Sequence, residues 1–135
     1  MGGSAGIAIQ RVFWLEDEAR AISVVWFGRG LAGWPGVVHG GALATVLDES
    51  LGRVALRSLP GKIGVTANLN LNYRSQTLTD DYYVIRVELV AGEMTDRKAK
   101  VRGTLETLNG EVCVQAEGLF VVPKTYSLQA IGDEF

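Results

Sequence analysis

Four successive segments of this chain alternate apolar and polar residues with a period of two, and nothing else in it constrains the fold as strongly. In "VTANLNLNYR", Val65, Ala67, Leu69, Leu71 and Tyr73 fall on one face, and Thr66, Asn68, Asn70, Asn72 and Arg74 on the other. In "YYVIRVELVA", Tyr83, Ile85, Val87, Leu89 and Ala91 oppose Arg86 and Glu88. "RKAKVRGTLETL" sets Ala99, Val101 and Leu105 against Lys98, Lys100, Arg102 and Glu106. "EVCVQAEGLFVV" sets Val112, Val114, Ala116, Phe120 and Val122 against Glu111, Gln115 and Glu117. Successive side chains of a strand point to opposite faces, so these runs predict antiparallel strands buried on one side only. The Asn-Gly pair of "LNGE" (108–111) predicts a hairpin turn, and "AGEMTD" a second turn.

A sheet with one apolar face needs a cover. Residues 40–57 supply it, because Leu43, Ala44, Leu47, Leu51, Val54 and Ala55 recur at three- and four-residue spacing, the mark of a helix. Val46 and Leu56 widen that stripe, which predicts a helix buried on most sides. Pro60 and Gly61 stop it. Residues 7–14 and 20–27 read as two short strands around the turn "LEDEA", and "GRGLAGWPG" (28–36) as a loop. No repeat or linker interrupts the chain, so residues 1–135 read as a single domain. The expected class is α+β, with a long central helix wrapped by a curved antiparallel sheet that the N-terminal strands extend.

Composition narrows the function. A net charge of −2 argues against non-specific nucleic-acid binding. The lone cysteine, Cys113, allows no intrachain disulfide, which fits a reducing, intracellular compartment, cytoplasmic or mitochondrial. One histidine and one cysteine make a metal site unexpected. No apolar run reaches the ~18 residues of a membrane span, and "MGGSAGIAIQ" lacks the basic start of a signal peptide.

The apolar helix nevertheless carries two acids. Glu49 has Arg53 four residues on, the favourable order for an ion pair. Asp48 has Ala44, Thr45, Leu51 and Gly52 one turn away and no cation. An unpaired carboxylate near a buried face is costly. It reads either as a structural acid bonded to an amide or a sheet hydroxyl, or as a general base. His39, Gly40 and Gly41 open the helix, where backbone N–H groups lack internal partners and carry the positive end of the dipole. Glycines there either permit close packing or let a ligand carbonyl approach those amides, as in an oxyanion hole. Gly41 and Asp48 are ~10.5 Å apart along the axis, too far to act on one carbonyl. Two antiparallel helices from two subunits would bring each glycine end to the other's aspartate, which predicts a two-fold dimer with shared sites.

"HGGALATVLDESLG" followed by "TANLNLNYR" resembles the hotdog-fold acyl-CoA thioesterases over about residues 25 to 122. The likeness is greatest to the branch of the human mitochondrial thioesterase superfamily members 4 and 5, within a group that includes the bacterial phenylacetyl-CoA thioesterase type. The resemblance implies a hydrolase of acyl-CoA, placed in fatty acid metabolism, that releases carboxylic acid and CoA without metal or added cofactor. By position it makes Asp48 the general base or nucleophile, Gly40 and Gly41 the carbonyl-polarising amides, and His39 the residue that orients their turn. Thr66 matches a hydroxyl that positions water from the partner subunit. Asn72 and Arg74 match the strand end that lines the CoA groove, and Arg97 and Lys98 a basic spot near the CoA phosphates. The implied assembly is a homodimer, or a dimer of dimers. Trp34 stands in a loop where some relatives have Asn or Gln, and Glu49 where a small residue is expected. A non-catalytic acyl-CoA binder is the alternative, and a hotdog hydratase or dehydratase a further one, for which the differently spaced histidine and acid are not found.

Overall fold

A computed structural model describes residues 6–15, 17 and 19–123, and for Ala8, Ile9 and Gln10 the backbone alone. Of the "LEDEA" turn, Glu16 and Glu18 lie outside the described residues. In chain order come β1 (Ile7–Leu15), β2 (Arg20–Phe27), β3 (Ala32–Trp34), β4 (Val37–Val38), α1 (Gly40–Ser58), β5 (Val65–Tyr73), β6 (Asp81–Leu89), β7 (Lys98–Thr107) and β8 (Val112–Val121). The glycine-rich loop therefore contains more order than its composition predicts. It holds a turn of 3-10 helix at Arg29–Leu31 and the short ribbon β3–β4.

Six strands form one antiparallel sheet in the order β1-β2-β6-β7-β8-β5. The chain leaves β2, crosses the sheet as α1, and returns at the far edge as β5, which among the described residues pairs only with β8. The helix lies across the middle strands. Val46, Leu47, Leu51, Val54 and Ala55 are buried against Ile85, Val101, Leu105, Val114 and Phe120. Burial of this apolar area is the dominant stabilisation of such a layer pair.

Small residues set how closely the layers meet. A Cβ on Gly103 would lie 2.6 Å from the Arg86 carbonyl oxygen and 3.3 Å from a Leu51 methyl. One on Gly118 would lie 2.9 Å from the Phe120 ring and 3.4 Å from the other Leu51 methyl. Leu51, fully buried, thus nests over two glycines of neighbouring strands. Among the described residues no helix is long and apolar enough to cross a membrane.

The clean alternation predicted for β5 is broken. A bulge falls between Thr66 and Asn68, opposite Phe120 and Leu119. One extra residue, Ala67, shifts the phase, because a slip of one residue moves a side chain to the other face. Leu69 and Tyr73 keep the helix side. Thr66, predicted to share a face with Asn68, Asn70, Asn72 and Arg74, turns to the helix side as well.

Candidate active site

The first turn of α1 is held from three directions. His39 is its N-cap. The Ala42 N–H donates to His39 Nδ1 at 3.1 Å, and the His39 carbonyl accepts from Ala42 at 3.2 Å and Leu43 at 3.3 Å. Because Nδ1 accepts, the neutral ring carries its proton on Nε2. Thr45 Oγ1 donates to the Gly41 carbonyl at 2.9 Å. The Tyr73 hydroxyl, at the end of β5, donates to the Gly40 carbonyl at 2.8 Å. The amide of Ala42 is spent on the cap, and among the described residues the N–H groups of Gly40 and Gly41 have no partner. Both glycines are exposed. The turn therefore presents adjacent free donors at the positive end of a helix dipole.

Asp48 lies two turns further along, half-buried. Its partner is invisible in the helix sequence, because it comes from the bulge of β5: Thr66 Oγ1 donates to Asp48 Oδ1 at 2.8 Å. The resemblance implies a Thr66 that serves from a partner subunit; within one chain it bonds the aspartate of its own helix. The bulge turns it onto the helix of its own chain. Glu49, exposed, pairs with Arg53 at 3.6 Å as its spacing predicts. Among the described residues Asp48 thus has one oxygen held by a hydroxyl and the carboxylate otherwise open.

In one chain the two halves of the site do not meet. Gly40 and Asp48 are ~12 Å apart along the helix axis. Their strand partners, Tyr73 and Thr66, sit at opposite ends of β5. A cleft of about 360 Å³ opens at the glycine end, lined among others by Val38, Gly40, Leu43, Tyr73, Arg74 and Thr77.

The remaining sequence-predicted residues are scattered. Asn72 points to the sheet face away from the helix, where its Nδ2 donates to Gln115 Oε1 at 3.3 Å. It lines a trough of about 580 Å³ edged by Arg86, Arg102 and Glu88. The charges there pair with one another: Arg102 with Glu88 at 3.0 Å, and Arg86 with Glu106 at 3.3 Å. Arg74 lines the cleft and reaches the same Gln115 oxygen at 3.5 Å. Arg97 and Lys98 stand at the start of β7. The Arg97 guanidinium donates to the carbonyls of Val122 at 3.2 Å and Pro123 at 2.8 Å, which ties down the end of β8. Lys98 heads β7 next to the buried Ala99 and so faces the opposite side. Tyr73 is the residue the sequence reading missed. Its place on the apolar face hid a hydroxyl that reaches the helix start.

Burial pushes the Cys113 thiol above its ordinary value, and Glu111 adds to the effect. The one cysteine is therefore a protonated core residue rather than a nucleophile. Among the described residues no group of three or more His, Cys, Asp or Glu could hold a metal ion.

A long helix laid across a curved antiparallel sheet, with a glycine turn at its start and an acid within it, defines a hotdog-type α+β domain. The thioesterase superfamily model matches residues 35–114, and the chain belongs to that family. The mouse acyl-coenzyme A thioesterase THEM4 is 31% identical over 111 residues, 82% of this chain and 46% of that protein. A solved thioesterase superfamily protein, RHA08564, is 34% identical with a TM-score of 0.71, covering 82% of this chain and 54% of that one. The BH2602 protein of Bacillus halodurans, solved with CoA, is 26% identical with a TM-score of 0.71, over 86% of this chain and 75% of that one. The chain spans about half the length of the mouse thioesterase and of several other curated relatives it matches.

Proposed function

We propose that this protein is an acyl-CoA thioesterase whose active site is completed by two copies of the chain. The observation that carries this reading is the Thr66–Asp48 hydrogen bond. That bond alone also fits a structural acid; what supports a base is that it fixes one carboxylate oxygen and leaves the other open to water or to the thioester carbon. The free N–H groups of Gly40 and Gly41 are the complementary half, placed to receive the carbonyl oxygen as it gains negative charge. Attack by water, or by Asp48 and then water, breaks the C–S bond and yields a carboxylic acid and CoA. The THEM4 relatives and the CoA-bound fold relative support acyl-CoA as the substrate class. The apolar walls of the cleft beside Gly40, from Val38, Leu43 and the Tyr73 ring, suit the acyl or pantetheine arm, and Arg74 at its rim suits an anionic group.

The distance between the two halves supports the shared site. β5 is an edge strand without a single charged residue, with Val65 52% and Tyr73 49% exposed. Unpaired edges of this kind invite pairing with another chain. Joining two β5 strands antiparallel about a two-fold axis near Leu69 brings the Thr66 end of one to the Tyr73 end of the other. Each Asp48 then approaches the glycine turn of the partner subunit, and the isologous contact makes two equal sites.

The test is release of free thiol from a panel of short, long and aromatic acyl-CoAs by the intact protein and by Asp48→Asn. Turnover in the intact protein that drops at least a hundredfold in the folded variant is the expected result, since a positioned base contributes roughly 10²–10⁴-fold. CoA binding with no thiol release from any substrate would instead make this a non-catalytic binder.

A further inference from the structure

We infer that Tyr73 is a positioning residue that fixes and strengthens the Gly41 N–H as an oxyanion donor, an inference that rests on the thioesterase reading above. The Gly40 carbonyl that accepts from the Tyr73 hydroxyl at 2.8 Å and the Gly41 N–H belong to one peptide group. Both residues are helical in α1, but a first-turn peptide flanked by two glycines frays more readily than one flanked by side chains, because both residues visit most of φ/ψ space. The next peptide has no such freedom. Its carbonyl accepts from Thr45 and its N–H is capped by His39. Among the described residues the hydroxyl of Tyr73 is the side-chain contact that, added to the helix bonding of the Gly40 carbonyl, sets the plane of the peptide between Gly40 and Gly41.

The contact has a second effect. When a carbonyl accepts a hydrogen bond, the amide polarises and its N–H becomes a better donor. The Tyr73 bond therefore points the Gly41 N–H away from the helix and raises its strength at the moment a thioester oxygen gains charge. The phenol does not touch the reacting carbonyl. Its effect passes through the peptide. The ring also packs on Gly40, where a Cβ would lie 3.4 Å from the Tyr73 oxygen, so the clamp and the small residue depend on each other.

Tyr73→Phe keeps the ring and deletes the bond. The expected result is a kcat lowered about tenfold, a fraction of the roughly 10²–10³ that loss of a whole oxyanion donor costs. KM and the affinity for an S-alkyl thioether of CoA, which has no carbonyl to polarise, stay as in the wild type. The Gly41 amide resonance in ¹⁵N–¹H spectra moves. Site-specific 3-fluorotyrosine at position 73, a conservative replacement with a more acidic hydroxyl, restores kcat and guards against a variant that merely folds badly. Tyr82→Phe, an exposed ring that stacks edge-on against Trp26, is the control with unchanged kcat. A Tyr73→Phe kcat within twofold of wild type, or an unmoved Gly41 resonance, would overturn the inference. If the wild type itself releases no thiol, the thioesterase reading fails, and the Gly41 resonance still decides whether the clamp exists.

Discussion

At the scale of single residues, the site is a set of hydrogen-bond assignments. Asp48 is held by Thr66, Gly40 by Tyr73, and Gly41 by Thr45 on one side and the His39 cap on the other. His39 caps the helix through Nδ1, which is separable from any contact its Nε2–H makes with a substrate. Substitution distinguishes them. Asparagine is among the best N-cap residues, so His39→Asn is expected to keep the unfolding free energy of the wild type. His39→Ala is expected to lose about 1 kcal/mol, the usual cost of deleting a cap. Denaturant unfolding of the two variants checks this. Equal losses in both would mean that the ring is held by something other than the cap. Glu49, by contrast, is a surface partner of Arg53 at 3.6 Å, and exposed pairs of this kind contribute little.

At the scale of elements, much was legible from pattern. The helix ran one residue further than predicted, to Ser58, and each alternating segment became a strand. The Glu49–Arg53 pair and the free glycine amides followed from helix spacing alone. What pattern could not show was the bulge in β5. A bulge adds one residue without changing composition, so Ala67 looks like a regular apolar position. Only the register against β8 reveals that Thr66 has changed face. Tyr73 escaped for another reason: period-two alternation sorts side chains by face and says nothing of where a long side chain's polar tip ends. Arg97, in the bend before β7, is drawn to the carbonyls at the end of β8, a pairing that alternation along a strand does not show. Leu51 over Gly103 and Gly118 is the contact that fixes how close helix and sheet lie. Gly103→Ala must push a methyl group into the Arg86 carbonyl, at 2.6 Å, and backbone cannot yield as a side chain can. Its expected cost is about 2 kcal/mol, typical of overpacking, measured as a drop in the urea midpoint. A variant as stable as the wild type would show that the strands can part there without loss.

At the scale of the molecule, the decisive fact is a distance. Asp48 and the glycine amides of one chain, the proposed base and oxyanion donors, are ~12 Å apart along a rigid helix, and no side-chain rotation closes that gap. The proposed pairing of two charge-free β5 edges would close it from a second copy. This arrangement makes a prediction that no single-chain site shares. Asp48→Asn removes the base, and Gly41→Pro removes a donor N–H at a first-turn position where proline is tolerated. Each variant alone is expected to be inactive. In a mixed dimer one site inherits both lesions, and the other combines Asp48 of one chain with the intact glycine turn of its partner. The measurement is thiol release from an acyl-CoA by mixed dimers, isolated through two different affinity tags. The account predicts about half of the wild-type activity, one whole site of two. Mixed dimers as inactive as their parents, beside an active wild type, would contradict a shared site.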